Sequence, residues 1–256
     1  MSDTPSPRTP AWPPRSAPRL FVEDRLEEGC AITLEGQQAH YLGKVMRLRE
    51  GDAVILCDNL TGEWAARVGA ASKRRIDLIV AERLRTREAV PDLWLCPALL
   101  KKDRFDMVLE KATELGAARI VPAITRRCVA DKLNLDRAQT ITVEAAEQCA
   151  RTALPQVDAP QKLAAMLNDW PADRALFFAD ELGGDPAAEA FAAHHGPAAI
   201  LIGPEGGFDD AEREAIRAHP AARPITLGPR ILRGETAAIA AISVWMASVG
   251  DWARQE

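Results

Sequence analysis

No stretch of this 256-residue chain is apolar over the roughly 20 residues that a bilayer span requires. The best candidate, residues 237–249, is shorter and carries Ser243. The first 18 residues hold several prolines but no apolar core of a secretory leader. Together these absences lead to the expectation of a soluble cytoplasmic protein. Cysteines are few and scattered: Cys30, Cys57, Cys96, Cys128 and Cys149 form no CxxC pair. They read as buried free thiols in a reducing compartment. His40, His194, His195 and His219 do not complete a ligand cluster with them, so no metal is expected. The GxGxxG dinucleotide motif and the GxxxxGK[ST] phosphate loop are also missing, which argues against a dinucleotide or a nucleoside triphosphate.

Net positive charge is lacking too. The formal charge is −5, which by itself disfavours nucleic acid as a partner. The distribution is uneven, however. Residues 1–90 carry 14 Lys/Arg and 13 Asp/Glu, a balance of +1, whereas residues 91–256 carry 18 and 24, a balance of −6. Local basic clusters occur at Arg47/Arg49, Lys73-Arg74-Arg75, Lys101-Lys102-Arg104 and Arg126-Arg127. Each cluster alone could be a solvated face; together they leave RNA open as a partner.

With 47% apolar and 27% charged residues, the chain has an ordinary globular balance and can bury a core without staples. Residues 1–17, rich in Pro, Ser and Arg, read as a disordered tail. Short strand-like runs follow over residues 18–85, such as Ala31-Ile32-Thr33-Leu34 and Ala53-Val54-Ile55-Leu56, with turn signals at Glu50-Gly51-Asp52 and Thr61-Gly62. One helix is expected over about 37–48. Many short strands in so few residues suggest a small β-barrel. A charged, Pro-terminated stretch at 83–91 reads as a linker.

Residues 86–256 alternate strands and helices. Phe105, Val108, Leu109 and Ala112 recur at helical spacing and Gly116 stops that helix; another is expected over about 135–151. Such alternation gives an α/β domain with a parallel sheet covered on both faces.

Two strand-to-helix loops stand out. The first is Leu201-Ile202-Gly203-Pro204-Glu205-Gly206-Gly207-Phe208, with Asp209 or Asp210 as the cap of the next helix and Glu212 placed for a capping box. The second is Leu227-Gly228-Pro229-Arg230-Ile231-Leu232-Arg233-Gly234-Glu235-Thr236-Ala237. Loops at the carboxyl ends of parallel strands are where α/β sheets bind ligands. Two Gly-Pro loops can wall a flat pocket in which main-chain groups read an adenine and Leu227, Ile231 and Leu232 flank its faces. The final helix is apolar nearly all round, so it fills a slot in the fold or a subunit interface.

These loops resemble those of the SPOUT methyltransferases, and more narrowly those of the ribosomal RNA small subunit methyltransferase E family. Further blocks agree in order: Arg19-Leu20-Phe21-Val22; His40-Tyr41-Leu42 with Val45-Met46-Arg47; Lys101 with residues 110–116; Ile120-Val121-Pro122 with Thr125-Arg126-Arg127; and residues 144–149 with Arg151. The likeness spans about residues 19–247. It implies an N-terminal PUA-like RNA-binding barrel and a SPOUT domain with a C-terminal trefoil knot and parallel sheet. It further implies a homodimer through the knot region and last helix, and S-adenosylmethionine (SAM) as cofactor. The reaction it implies is methylation of N3 of a uridine in 16S rRNA, in the decoding region of the small ribosomal subunit. Cofactor contacts would fall on Leu201, Ile202, Gly203, Pro204, Glu205, Gly206, Gly207, Leu227, Gly228, Ile231 and Leu232. Arg230 and Arg233 would stabilise a uracil anion, and Glu205 would orient the cofactor or take the proton. Arg19, Arg47, Lys101, Arg104, Arg126 and Arg151 would hold RNA. The family often has Thr where this chain has Gly234, a change expected to leave the loop freer. Two alternatives stay open at this point: another SPOUT RNA methyltransferase acting on a ribose 2′-OH or a tRNA base, and an RNA-binding assembly factor without catalysis.

Overall fold

The computed structural model describes residues 12–72 and 74–253. Residues 1–11 of the proline-rich segment and Lys73 of the basic cluster lie outside them. The chain divides into two compact units, Met1–Glu88 with Ala150–Ala153, and Ala89–Cys149 with Leu154–Glu256.

The first unit contains β1 (Arg19–Phe21), β2 (Ala31–Glu35), α1 (Gly36–His40), a π-helical turn (Tyr41–Val45), β3 (Ala53–Cys57), β4 (Gly62–Ala71) and β5 (Arg75–Thr86). They form one five-stranded sheet in the order β1-β3-β4-β5-β2. Residues 83–86, read as linker, are the end of β5. Residues 12–17, read as disordered, instead make a turn, with Ala17 N–H donating to the Pro14 carbonyl at 2.9 Å and the Trp12 ring 3.9 Å beneath the Arg67 guanidinium. Alternation decides which face is inside: Ile76, Leu78 and Val80 of β5 and Ile32 and Leu34 of β2 are buried, whereas Ile79 and Thr33 face outward. Three register shifts between β4 and β5 bend the long pair around the core formed by Leu26, Leu42, Leu56 and Trp64. Asp58, buried after β3, accepts hydrogen bonds from the Leu26, Leu60 and Thr61 amides (3.0, 2.9 and 2.7 Å) and from the Thr61 hydroxyl (2.7 Å). Burial pushes its carboxyl up, but these donors together hold it below the usual carboxylate range.

The second unit begins with β6 (Leu93–Pro97), α2 (Lys102–Glu114), β7 (Arg119–Ile120), β8 (Ala123–Ile124) and α3 (Leu135–Cys149). It continues with β9 (Gln156–Val157), β10 (Gln161–Lys162), α4 (Leu163–Asn168), β11 (Ala175–Ala179), β12 (Asp185–Pro186) and α5 (Ala187–Ala192). The last elements are β13 (Ala198–Ile202), α6 (Asp210–Ala218), β14 (Ala222–Thr226) and α7 (Gly234–Ser248). Seven strands make an all-parallel sheet in the order β12-β14-β11-β13-β6-β7-β9. β13 is central and buried on both faces, as its unbroken run AAILI requires. Ala198, Ile200 and Ile202 face α2, α5 and α7; Ala199 and Leu201 face α4 and α6. Phe105, Val108, Leu109 and Ala112 form the buried stripe of α2 as their spacing requires.

α7 buries Ala238, Ala241, Ile242, Trp245 and Met246 against its own unit, so its apolar character is spent largely inside the fold. Its first residue, Gly234, is buried, and a Cβ there would lie 3.0 Å from Leu100 Cδ2. The glycine thus seats the helix close against Leu100; the expectation of a freer loop is corrected. The cysteines also differ from expectation. Cys57 and Cys96 are buried and burial pushes both thiols up to about 12, but Cys30 and Cys128 are half-buried and Cys149 is exposed. Among the described residues, no helix is long and apolar enough to cross a membrane.

Candidate active site

The two Gly-Pro loops converge with a third, residues 180–184 after β11, around a cavity of about 360 Å³. It lies at the carboxyl ends of β11, β13 and β14, the adjacent centre of the parallel sheet. The volume suits a nucleoside-sized ligand.

The first loop is held on both sides. Pro204 O accepts from the Gly207 amide at 2.9 Å to close its turn. Asp209 then caps α6 as expected: its Oδ1 accepts from the Glu212 amide at 2.7 Å, and Glu212 Oε2 accepts from the Asp209 amide at 3.3 Å. The Glu212 amide, together with Arg126 beside it, lowers the Asp209 carboxyl below its ordinary range. Gly207 has φ +67°, and a Cβ there would lie 2.9 Å from Glu181 Oε1, so only glycine fits without a shift. Arg104 forms an ion pair with Glu205 and reaches Glu235 of α7 with its Nε at 3.8 Å.

The third loop is tied to α6. Asp180, buried, pairs with Arg213 (3.3 Å) and Arg217 (2.6 Å), and Arg213 also reaches Glu181 at 2.7 Å. Residues 180–184 were not among the sites expected from sequence. The signal was present: the apolar strand Ala175–Ala179 ends in Asp180-Glu181-Leu182-Gly183-Gly184, a strand followed by a glycine pair.

The structure brings together most of the sequence-derived set. Ile202, Gly203, Pro204, Glu205, Gly207, Leu227, Gly228, Arg230, Ile231 and Leu232 line the cavity. Three expected residues do not. Leu201 points into the core beneath α4 and α6, because strand alternation sends it opposite to Ile202. Gly206 is exposed, and its carbonyl accepts from Arg127 Nη1 at 2.7 Å. Arg233 is the exposed N-cap of α7 and lies outside the cavity lining. Ile231, placed against the ligand by the sequence reading, is 89% exposed at the cavity edge. Arg230 and Arg233 make no ion pair among the described residues.

The cations expected to hold RNA separate into groups. Arg47 and Lys101 are exposed with no ion pair among the described residues. Arg126 is exposed and paired with Asp209 at 2.8 Å. Arg19 is mostly buried against Glu63 (3.3 Å), Arg104 is engaged by Glu205, and Arg151 is buried beside Glu88 at 3.9 Å. These last three are engaged by carboxylates of the protein itself.

Comparison with known proteins agrees with this geometry. Residues 86–246 match the family of the RNA methyltransferase domain, and residues 34–81 match the RNA methyltransferase PUA domain. The ribosomal RNA small subunit methyltransferase E of Bacillus subtilis is 30% identical, over 88% of this chain and 94% of its own length. That of Synechocystis is 32% identical, over 88% and 76%. Among solved structures, the ribosomal RNA small subunit methyltransferase E of Neisseria gonorrhoeae, bound to SAM, superposes with a TM-score of 0.85 at 27% identity, covering 93% of this chain and all of that one. A putative methyltransferase from Legionella pneumophila in complex with SAM gives 0.81 at 28% identity, covering 91% and 98%. With two matched domains in order and relatives spanning nearly its whole length, the chain belongs to the ribosomal RNA small subunit methyltransferase E family.

Proposed function

We propose that this protein transfers a methyl group from SAM to N3 of a uridine in 16S rRNA, in the cytoplasm, with residues 18–85 as an RNA-binding barrel and 86–256 as the SPOUT catalytic domain. The observation that carries the reading is the three-loop cavity at the carboxyl ends of β11, β13 and β14. Its lining suits SAM, which carries charges of both signs and an apolar-faced adenine: Asp180, Glu181 and Glu205 stand with Arg213 and Arg230, while Leu227 and Leu232 supply apolar flanks. Bound there, SAM supplies an electrophilic methyl on its sulfonium.

The chain's own residues do the rest. The loop backbone orients the two reactants, which lowers the barrier by up to about 7–11 kcal/mol when the alignment is good. N3 of uracil is nucleophilic only after its proton leaves. A cation beside the base stabilises that anion as it forms. Arg230, in the cavity lining, fits this role better than Arg233, which lies outside it. Glu205 remains the acceptor for the proton, with Arg104 fixing its carboxylate. Because the target atom lies on the Watson–Crick edge, the base must be unpaired first. Arg47, Lys101 and Arg126 are the RNA-holding cations that stay accessible.

We further propose the trefoil knot and a homodimer. β14 returns to a place between β11 and β12, and the loop after β11 passes so near β14 that a Cβ on Gly184 would fall 2.4 Å from the Pro224 carbonyl. That closeness is the one between paired strands, since Gly184 precedes β12; what supports a threaded chain is the insertion of β14 between β11 and β12, which are consecutive in the chain. For the dimer, α7 leaves a strip of Thr236, Ile239, Ala240, Ser243, Val244, Ala247 and Ser248 exposed or half-buried; sedimentation at micromolar concentration should give twice the 27.8 kDa chain mass.

The decisive test is to map the methylated nucleotide by mass spectrometry after incubating purified protein, SAM and small-subunit RNA or particles. N3-methyluridine is the expected product. A 2′-O-methylated ribose would overturn the assignment of the base, and no transfer from SAM would overturn the enzyme reading.

A further inference from the structure

The surface of the first unit carries a feature that the methyl-transfer reading does not use. The π-helical turn Tyr41–Val45 buries Leu42 completely but leaves Tyr41, Val45 and Met46 at 37%, 62% and 37% exposure. Water is an unfavourable neighbour for three such side chains side by side. The wide turn brings them together: Met46 N–H donates to the Tyr41 carbonyl at 2.9 Å, a spacing of five residues, so Tyr41, Val45 and Met46 fall on one side of the turn while Leu42 is buried. The chain has a single tyrosine, and it stands here with no aromatic ring or cation stacked on it among the described residues.

Charge identifies the occupant. Lys44, Arg47 and Arg49 are exposed on this same short segment and make no salt bridge among the described residues. Arg47 sits at φ +55°, a conformation that non-glycine residues adopt at a cost and that is enriched at functional sites. Carboxylates are present at Glu35, Glu50 and Asp52, the last occupied by the Arg49 amide at 2.7 Å. An aromatic and aliphatic face on a short segment that also carries three exposed cations suits an unstacked base with phosphates on either side. A duplex would engage the cations but leave the apolar face wet.

We propose that Tyr41, Val45 and Met46 form a stacking platform for one unpaired base of the RNA, flanked by phosphate contacts from Lys44, Arg47 and Arg49. This inference rests on the reading of the first unit as an RNA-binding module and assigns it a preference for single-stranded segments.

Because the tyrosine is unique, 3-fluorotyrosine incorporated into the full-length protein gives one ¹⁹F resonance to follow while short single-stranded and duplex RNAs of equal length are added. The single strand should shift that resonance and the duplex should not. In parallel binding measurements, Tyr41→Ala should weaken single-strand affinity roughly tenfold, within the range set by one lost base stack, and Tyr41→Phe should retain it. Thermal unfolding of each variant confirms that the fold is kept, and Met46→Gln provides a second, independent disruption of the same face. Equal loss in Tyr41→Ala and Tyr41→Phe would overturn stacking, as would an unmoved resonance. If Tyr41→Ala binds naked RNA normally but binds small-subunit particles poorly, the face docks a protein and the proposal fails. Arg47→Gln separates the two layers: if it too leaves RNA affinity and its salt dependence unchanged, the RNA-binding reading of this unit fails along with the platform.

Discussion

Arginine is used differently in the two units. Around the cavity of the second unit, Arg104, Arg126, Arg213 and Arg217 each meet a carboxylate, and the pairs hold the first and third loops in place. Along the π-helical turn of the first unit, Lys44, Arg47 and Arg49 meet none among the described residues. A cation that shapes a cleft must be neutralised where it stands, because an uncompensated charge against apolar walls is costly. A cation that waits for phosphate must stay hydrated and unpaired, because its gain comes from the counterions that it releases from RNA. Arg230 breaks the first pattern: it lies at the cavity with no ion pair among the described residues, as a residue waiting for charge to develop in a reaction would.

The strongest challenge to this contrast is removal of a cleft arginine. Arg213 is buried and bridges Asp180, Glu181 and Asp210. Arg213→Ala should lower the stability of the second unit by about 4 kcal/mol, since Asp180 would stay buried beside a weakened partner set. Thermal unfolding with and without SAM measures it; a change under about 1 kcal/mol would show that the pairs do not hold the loops. Next comes Arg230→Ala, expected to slow single-turnover methyl transfer roughly a hundredfold at saturating RNA and SAM while both still bind. Arg233→Ala should do less, and the reverse ranking would return the catalytic role to Arg233.

The first unit has its own buried charge to test. Asp58→Ala should cost about 2–3 kcal/mol by stranding the amides of Leu26, Leu60 and Thr61. The carboxyl of Asp58 is held below its ordinary value in the folded state. Its stabilising contribution is therefore complete above the unfolded carboxylate pKa of about 3.9 and is lost as pH falls through the lower folded value. Acid titration of wild type should show an unfolding component that Asp58→Asn lacks. The smallest expected effect is a pair of glycine changes. Gly207→Ala should weaken SAM binding by about 1–2 kcal/mol through its positive φ and the clash with Glu181, whereas Gly206→Ala, where a Cβ meets Arg127 Cδ at an ordinary 3.5 Å, should bind SAM as wild type does. Equal losses in calorimetry would mean that the whole loop, not one position, carries the fit.

Much of the fold and of the candidate site was legible from residue order. Strand–helix alternation foretold the parallel sheet, the buried stripe of α2 followed from its spacing, and Asp209 with Glu212 announced a capping box that the structure contains. Both Gly-Pro loops fall on the cavity because loops after parallel strands share one edge of the sheet. The short elements between 150 and 175 left no clear pattern, since two-residue strands carry too little periodicity to detect.

Local sequence therefore determined the elements, the caps and the two glycine-rich turns, because these depend on neighbours within a few residues. Tertiary structure alone decided the remainder. It chose which face of β13 each residue occupies, turning Leu201 inward and Ile202 toward the cavity. It supplied the third loop through Asp180 and Glu181, whose partners lie more than 30 residues away on α6. It also sorted the arginines: Arg47 and Arg151 read alike in a sequence, yet one is exposed and the other is buried beside Glu88. Charge alone does not say whether a guanidinium will meet water, phosphate or a carboxylate; that depends on what long-range packing brings within about 4 Å of it.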